Sequence, residues 1–297
     1  MSRTEIEEVI SGSQDHGTKV DQLAKIRGWF RPQDESAFYP VLQDYLEEKI
    51  HLDEVSSRLF GPIDEKISAS KLDDVDFMDL WYSVIHSARR ISYRDAHKHN
   101  SVIELVAAFK NHKVSGNEKY NYLYNSLTDF SMACREAYND QPEVTKNGFF
   151  DIEVEAWASV NHFFALVTAQ GLSDLSIFAI WSMREALEVP QEDGKDATVA
   201  QKLDAYVPAA SAWVIATGQE LYNRKEDLTP TDPKQGNPAK GGALWKGKAE
   251  FSRERWAFWK QRFFEIGGLE DVREKTRNVA KDAVLGMERA ETFELIH

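Results

Sequence analysis

Apolar residues return at steps of three and four along almost the whole 297-residue chain, and the strict alternation of a half-buried strand is hard to find in any useful window. That pattern predicts an all-α protein. Phe77, Leu80, Trp81, Val84, Ile85, Ala88 and Ile91 make one stripe, and Leu123, Leu127, Phe130, Cys134 and Tyr138 make another. Each is the single apolar face of an amphipathic helix. Val154, Trp157, Val160, Phe164 and Val167 trace a third stripe, which Ala156, Phe163 and Ala165 widen nearly round the helix; this predicts a central, buried element.

Leu203, Tyr206, Ala210, Trp213, Thr217 and Leu221 keep the same period. Pro208 within it lacks a backbone donor, so a kink or a fresh helix start is expected there. Gly218 is a poor helix former and marks a place where another helix packs closely. The run EDLTPTDPKQGNPAKGG, from Glu226 to Gly242, holds three of the nine prolines and no apolar period, which predicts a mobile loop. Beyond it Trp256, Trp259, Phe263 and Ile266 share a helical face as far as Gly267-Gly268, a C-cap pair. A last helix is expected from near Leu269 on the pattern Val272, Thr276, Val279, Ala283, Met287. The expected whole is a single compact helical domain over residues 1–297 with about ten helices. It has a loop insertion at about 226–247 and C-terminal helices at about 248–293. No internal repeat supports a solenoid.

Composition narrows the classes. A formal charge of -13 is the wrong sign for the usual nucleic-acid binder. The most apolar stretch, Trp157 to Leu172, is interrupted by Ser159, Asn161, His162, Thr168 and Gln170, so no membrane insertion is expected. Cys134 is the single cysteine, and the first residues mix acids with apolar residues where a secretory leader places bases before an apolar run. A cytoplasmic setting is the expectation.

Metal and nucleotide motifs fall short of their chemistry. Glu48 and His51 have the Glu-x-x-His spacing of di-iron bundles without the second such step that those sites need. His97, His99 and Asp95 match no closed zinc site. The acidic run Asp73 to Asp79 invites comparison with the aspartate-rich magnesium segment of terpene cyclases, but Phe77 stands where the last aspartate belongs. Capping of a helix N-terminus explains the acids more simply. Gly242 and Ala243 replace the lysine and hydroxyl of a phosphate loop. No metal and no cofactor are expected.

The aromatic residues carry more. Eight Trp, ten Tyr and sixteen Phe include several beside a polar group on an otherwise apolar helix. Trp81, His86, Trp157, His162, Trp213, Arg255 and Trp259 are the candidate binding residues, although a core aromatic or a hydrogen-bonded core-edge group is the plainer account of each. No catalytic residue stands out.

The segments Trp157-x-x-x-Asn161-His162-Phe163, Trp213 to Gly218 to Leu221, and Arg255-Trp256-Ala257-Phe258-Trp259-Lys260-Gln261-Arg262-Phe263, followed by an alanine-rich helix to Met287, together resemble a large family of fungal proteins of unknown function. The resemblance covers about residues 20 to 290. It implies a helical fungal protein and assigns neither an activity nor site residues.

The expected role is therefore binding of a protein or a small apolar or anionic ligand. The alternative is a small-molecule enzyme of secondary-metabolite or terpenoid type using the aromatic core as its cavity. Charge adds one expectation: residues 224–262 hold ten bases and five acids, while residues 1–80 hold 18 acids and nine bases. Either the basic segment docks on the acidic N-terminal part, or it receives an anion with Arg255 and Arg262 as anchors.

Overall fold

The computed structural model describes residues 3–190, 193–194 and 196–294. Among them lie thirteen α-helical segments and one antiparallel pair of two-residue strands, so the fold is all-α. Periodicity predicts fewer helices because one- and two-turn segments are shorter than the window in which a period can be read. Contacts divide the chain into two units, Met1–Asp140 and Gln141–His297. No helix among the described residues is long and apolar enough to cross a membrane.

The first unit contains α1 (Arg3–Ser11), α2 (His16–Arg27), α3 (Tyr39–Leu46), α4 (Leu52–Ser68), α5 (Phe77–Arg90), α6 (Ala96–Asn111), α7 (Asn121–Asn125) and α8 (Phe130–Tyr138). Helix α5 lies at its centre, packed by α2, α3, α6 and α8, and every residue of the predicted stripe from Phe77 to Ile91 is buried. Its start explains the acidic run. Asp73 and Asp74 sit in a short 3-10 turn, and the Asp76 side chain accepts the Asp79 N–H at 2.9 Å. The buried Asp79 carboxylate accepts from the Gln33 N–H at 2.8 Å and the Ser36 hydroxyl at 2.6 Å.

The second stripe does not form one helix. Leu127 and Asp129 adopt positive φ (51° and 63°) and turn the chain between α7 and α8, yet all five stripe residues are buried. The turn is closed by the Thr128 N–H on the Leu123 carbonyl at 3.1 Å. Nor do Glu48 and His51 share a helical turn: Glu48 has φ 61° in the link between α3 and α4, and His51 is the N-cap of α4. Among the described residues no group of three His, Cys, Asp or Glu is placed to hold a metal ion.

The second unit contains α9 (Asp151–Ala169), α10 (Ser176–Met183), a π-helical turn (Arg184–Glu188), α11 (Val199–Asn223), β1 (Glu226–Asp227), β2 (Glu250–Phe251), α12 (Arg253–Ile266) and α13 (Glu274–Glu294). Helix α9 is buried nearly all round, as its widened stripe predicts. Helix α11 packs along both α9 and α13, starting from a capping box in which Thr198 and Gln201 satisfy each other's backbone N–H groups.

The break in α11 is not at Pro208. The helix runs through that residue and departs from helical geometry at Thr217 (φ -133°, ψ 16°). There the hydroxyl donates to the Trp213 carbonyl at 2.7 Å, a back-bond that bends helices, and the pliant Gly218 follows.

Candidate functional site

Two buried polar nodes and one open cleft organise the second unit. The first node rests on the π-helical turn after α10. Glu188, with its side chain wholly buried, accepts two hydrogen bonds from the equally buried Arg255 of α12, at 2.8 and 3.0 Å. Its carboxylate also accepts the Trp259 indole N–H at 2.6 Å and the Gly242 N–H at 2.8 Å. The Arg255 guanidinium also donates to the Ala239 and Glu250 carbonyls at 3.1 and 2.9 Å. Its positive charge is matched inside the protein and offers nothing to an external anion.

This node fixes the segment expected to be a mobile loop. Besides Arg255 and Glu188, the Trp181 indole donates to the Pro238 carbonyl at 2.8 Å, Arg184 donates to the Lys240 carbonyl at 2.8 Å, and the Leu244 N–H reaches the Glu188 carbonyl at 2.8 Å. Four other bases of the segment also find nearby partners. Arg224 pairs with Asp174 and Glu220, Lys248 with Asp227, Lys260 with Glu291, and Arg262 with Glu265. Those acids lie in the segment's own unit rather than in the acidic N-terminal part.

The second node joins three helices. Asn161 of α9 accepts from the Ser182 hydroxyl of α10 at 2.7 Å and from the Trp213 indole of α11 at 2.9 Å, all in the buried core. Its amide nitrogen donates to the Trp157 carbonyl at 3.0 Å. Next to it on α9, burial holds the His162 imidazole down to about 4, partly offset by a hydrogen bond with the Ala212 backbone.

In the first unit Trp81 is enclosed by Phe109 and Phe130, each at 4.8 Å between ring centres, and donates to the Thr128 carbonyl at 2.6 Å. His86 meets Asp21 through Nε2 at 2.8 Å, and the Tyr39 hydroxyl donates to the same carboxylate at 2.9 Å. Burial pushes this imidazole down to about 4 against the pull of Asp21, with the Arg89 charge adding to the depression. Both histidines are therefore neutral near pH 7.

The cleft opens where α11 bends. Its walls are Thr168, Ala169 and Gly171 at the end of α9, Val214 to Glu220 of α11, and Asp282, Leu285, Gly286, Arg289 and Ala290 of α13, and its volume is about 940 Å³. The helices meet closely beside it: a Cβ added at Gly286 would lie 3.2 Å from Val214 Cγ1. Ile215 and Leu285 are half exposed, at 52% and 50%, on walls that also carry Gly171, Ala216, Gly218, Gly286 and Ala290. Both threonine hydroxyls at the cleft are committed to backbone carbonyls, Thr217 to Trp213 and Thr168 to Phe164.

Residues 81–263, more than half of the chain, match the model of a family described as Protein of unknown function (DUF3632). The chain belongs to the DUF3632 family. No curated protein and no solved structure matches it. The DUF3632 match runs from Trp81 to Phe263 and takes in the Arg255–Phe263 signature, a shorter span than the residues 20 to 290 of the expected resemblance. It includes all seven candidate binding residues but leaves out α13, one wall of the cleft.

Of those seven residues, Trp81 and His86 fall in the first unit and Trp157, His162, Trp213, Arg255 and Trp259 in the second. Arg255 and Trp259 meet at Glu188, and Trp213 meets the carbonyl of Asn161, the neighbour of His162. None lines the cleft. The cleft residues were missed because they are small or ordinary; the one signal for them was Gly218 within the α11 period.

Proposed function

We propose that this DUF3632 protein is a binding protein whose second unit receives the apolar body of a small molecule in the cleft at the α11 bend. The carrying observation is the exposure of Ile215 and Leu285 on facing walls of a cleft of about 940 Å³, within the size range of small-molecule sites, roughly 300–1,000 Å³. Large apolar side chains left in water on both sides of a concavity lose less by covering a ligand than by staying exposed. Binding without chemistry is the better supported role. The threonine hydroxyls are tied to the backbone, and Glu220 is held by Arg224 at 2.8 Å, so these groups are committed to structural bonds rather than paired as nucleophile and base.

The test is titration with the apolar fluorophore N-phenyl-1-naphthylamine. Saturable binding at one site is expected, and it should be lost in the double variant Ile215→Glu/Leu285→Glu, whose exposed positions spare folding. Absence of saturable binding, or binding that the double variant leaves unchanged, refutes the assignment.

A further inference from the structure

Two charged side chains line the cleft on α13, Asp282 and Arg289. Both are exposed, and among the described residues neither side chain has an ion-pair or hydrogen-bonding partner. The remaining charged residue of the lining, Glu220, is paired with Arg224. Among the described residues, the lining thus presents a ligand with one anion and one cation that have no partner in the protein. They stand seven residues apart, which is close to two helical turns, so they lie on the same face about 10 Å apart along the axis. Between them that face carries Leu285 and Gly286, one apolar contact and one position with no side chain to obstruct a chain laid along the helix.

Building on the proposed cleft function, we infer that its ligand class is a short apolar peptide with both termini free, its ammonium group at Asp282 and its carboxylate at Arg289. Charge separation decides among zwitterions. An extended peptide spans at most about 3.3–3.6 Å per residue, so three residues place their terminal charges about 10 Å apart, matching the spacing on α13. A single amino acid holds its two charges on one carbon and reaches only one of the pair. A zwitterionic lipid headgroup gathers both charges at one end of its tail and leaves the other side chain unanswered. Guanidinium grips carboxylate through two parallel hydrogen bonds, and the apolar side chains of the peptide meet Ile215, Val214 and Leu285.

Displacement of N-phenyl-1-naphthylamine from the full-length protein by trileucine tests this. Free trileucine should compete best; blocking its amine by acetylation or its carboxylate by amidation should each weaken competition about tenfold, and leucine alone should compete weakly. The two variants assign the ends. In Asp282→Asn the penalty for acetylation disappears while that for amidation persists, and in Arg289→Gln the reverse holds. Equal competition by free and doubly blocked trileucine, or no competition by any peptide while the fluorophore still binds, overturns the peptide inference and leaves the cleft intact. Failure of the fluorophore itself to bind removes the cleft reading, and this inference with it. A penalty that ignores both variants places the termini elsewhere and also refutes the assignment.

Discussion

The Glu188–Arg255 pair makes a quantitative demand on stability, because both side chains are wholly buried and their opposite charges lie 2.8 Å apart. Replacing Arg255 by Met strands a carboxylate that keeps its Trp259 and Gly242 donors but has no counter-charge. Replacing Glu188 by Gln strands the guanidinium while retaining an oxygen that can accept from the Trp259 indole. Breaking a buried pair from one side costs about 3–5 kcal/mol in either case. The double variant Glu188→Gln/Arg255→Met removes both buried charges of the node. Its losses are the hydrogen bonds that Arg255 made to the Ala239 and Glu250 carbonyls and one of the two carboxylate acceptors used by the Trp259 indole and the Gly242 N–H, about 1–3 kcal/mol for each group left unsatisfied, and one or other single variant already carries each of them. The double variant should therefore be more stable than either single one, with a coupling energy above about 3 kcal/mol. Urea titration read by circular dichroism, with matching m-values as the check on comparability, supplies the four numbers of the cycle. If the double variant loses as much as the two single ones combined, the pair is not electrostatically closed and the account of the node fails.

Trp259→Ala should cost about 3–5 kcal/mol through the cavity it leaves, whereas Trp259→Phe, which keeps most of the ring volume and loses the 2.6 Å bond to Glu188, should cost about 1–2 kcal/mol; an unchanged stability in Trp259→Phe would show that the indole N–H contributes nothing. The buried histidines set a pH dependence. His162 and His86 stay neutral in the folded chain down to about 4 but take up protons near 6.5 when unfolded, so their stabilising contribution is complete above pH 6.5 and is lost as the pH falls toward 4. At pH 5 each costs about 2 kcal/mol relative to pH 8. Asp140, which burial pushes up to about 6, and Glu185 and Asp204, also raised by burial, run the opposite way. The clean readout is consequently a difference: His162→Asn should shrink the loss of stability between pH 8 and pH 5 by about 2 kcal/mol, and an unchanged loss would contradict a neutral His162.

How far the sequence could be read depended on whether a feature leaves a periodic trace. Helices α5 and α9 were plain because burial on one face, or on all faces, writes itself into the spacing of apolar residues. The break at Leu127 and Asp129 was invisible, since the turn happens to preserve the three-and-four spacing and leucine carries no sign of a positive φ. Pro208 was the obvious place for a kink, yet α11 bends at Thr217, where a hydroxyl on the preceding carbonyl does what a missing N–H was expected to do. The prolines and glycines of residues 226–242 predict a mobile loop. Composition describes what the backbone is free to do, not the partners waiting for it, and those partners are Arg184 and Glu188 on the π-helical turn and Arg255 on α12.

The same distinction separates the candidate residues from the cleft. Large aromatics beside a polar group identify buried positions, and Trp157, Trp213 and Trp259 are all buried, the last two with the indole bonded to Asn161 and Glu188. A concavity needs the contrary: short side chains where helices meet and a local departure from regular geometry. Gly218, Gly286, Ala290 and the bend at Thr217 provide it, and none of these residue types stands out in a composition count. The two groups remain physically connected, because Trp213 lies one residue before the cleft wall and its carbonyl accepts the Thr217 hydroxyl that bends the helix. Its indole is held by Asn161, and Asn161 is held in turn by Ser182. The core network therefore fixes the position of the bend, and the bend gives the cleft its shape. Conservative changes at Asn161 should act on the cleft without touching it: Asn161→Leu, which removes the acceptor for both Ser182 and Trp213, should weaken fluorophore binding while Ile215 and Leu285 remain in place. Unaltered binding in a variant that is measurably destabilised would show that the bend is set by the α11–α13 contact at Gly218 and Gly286 alone.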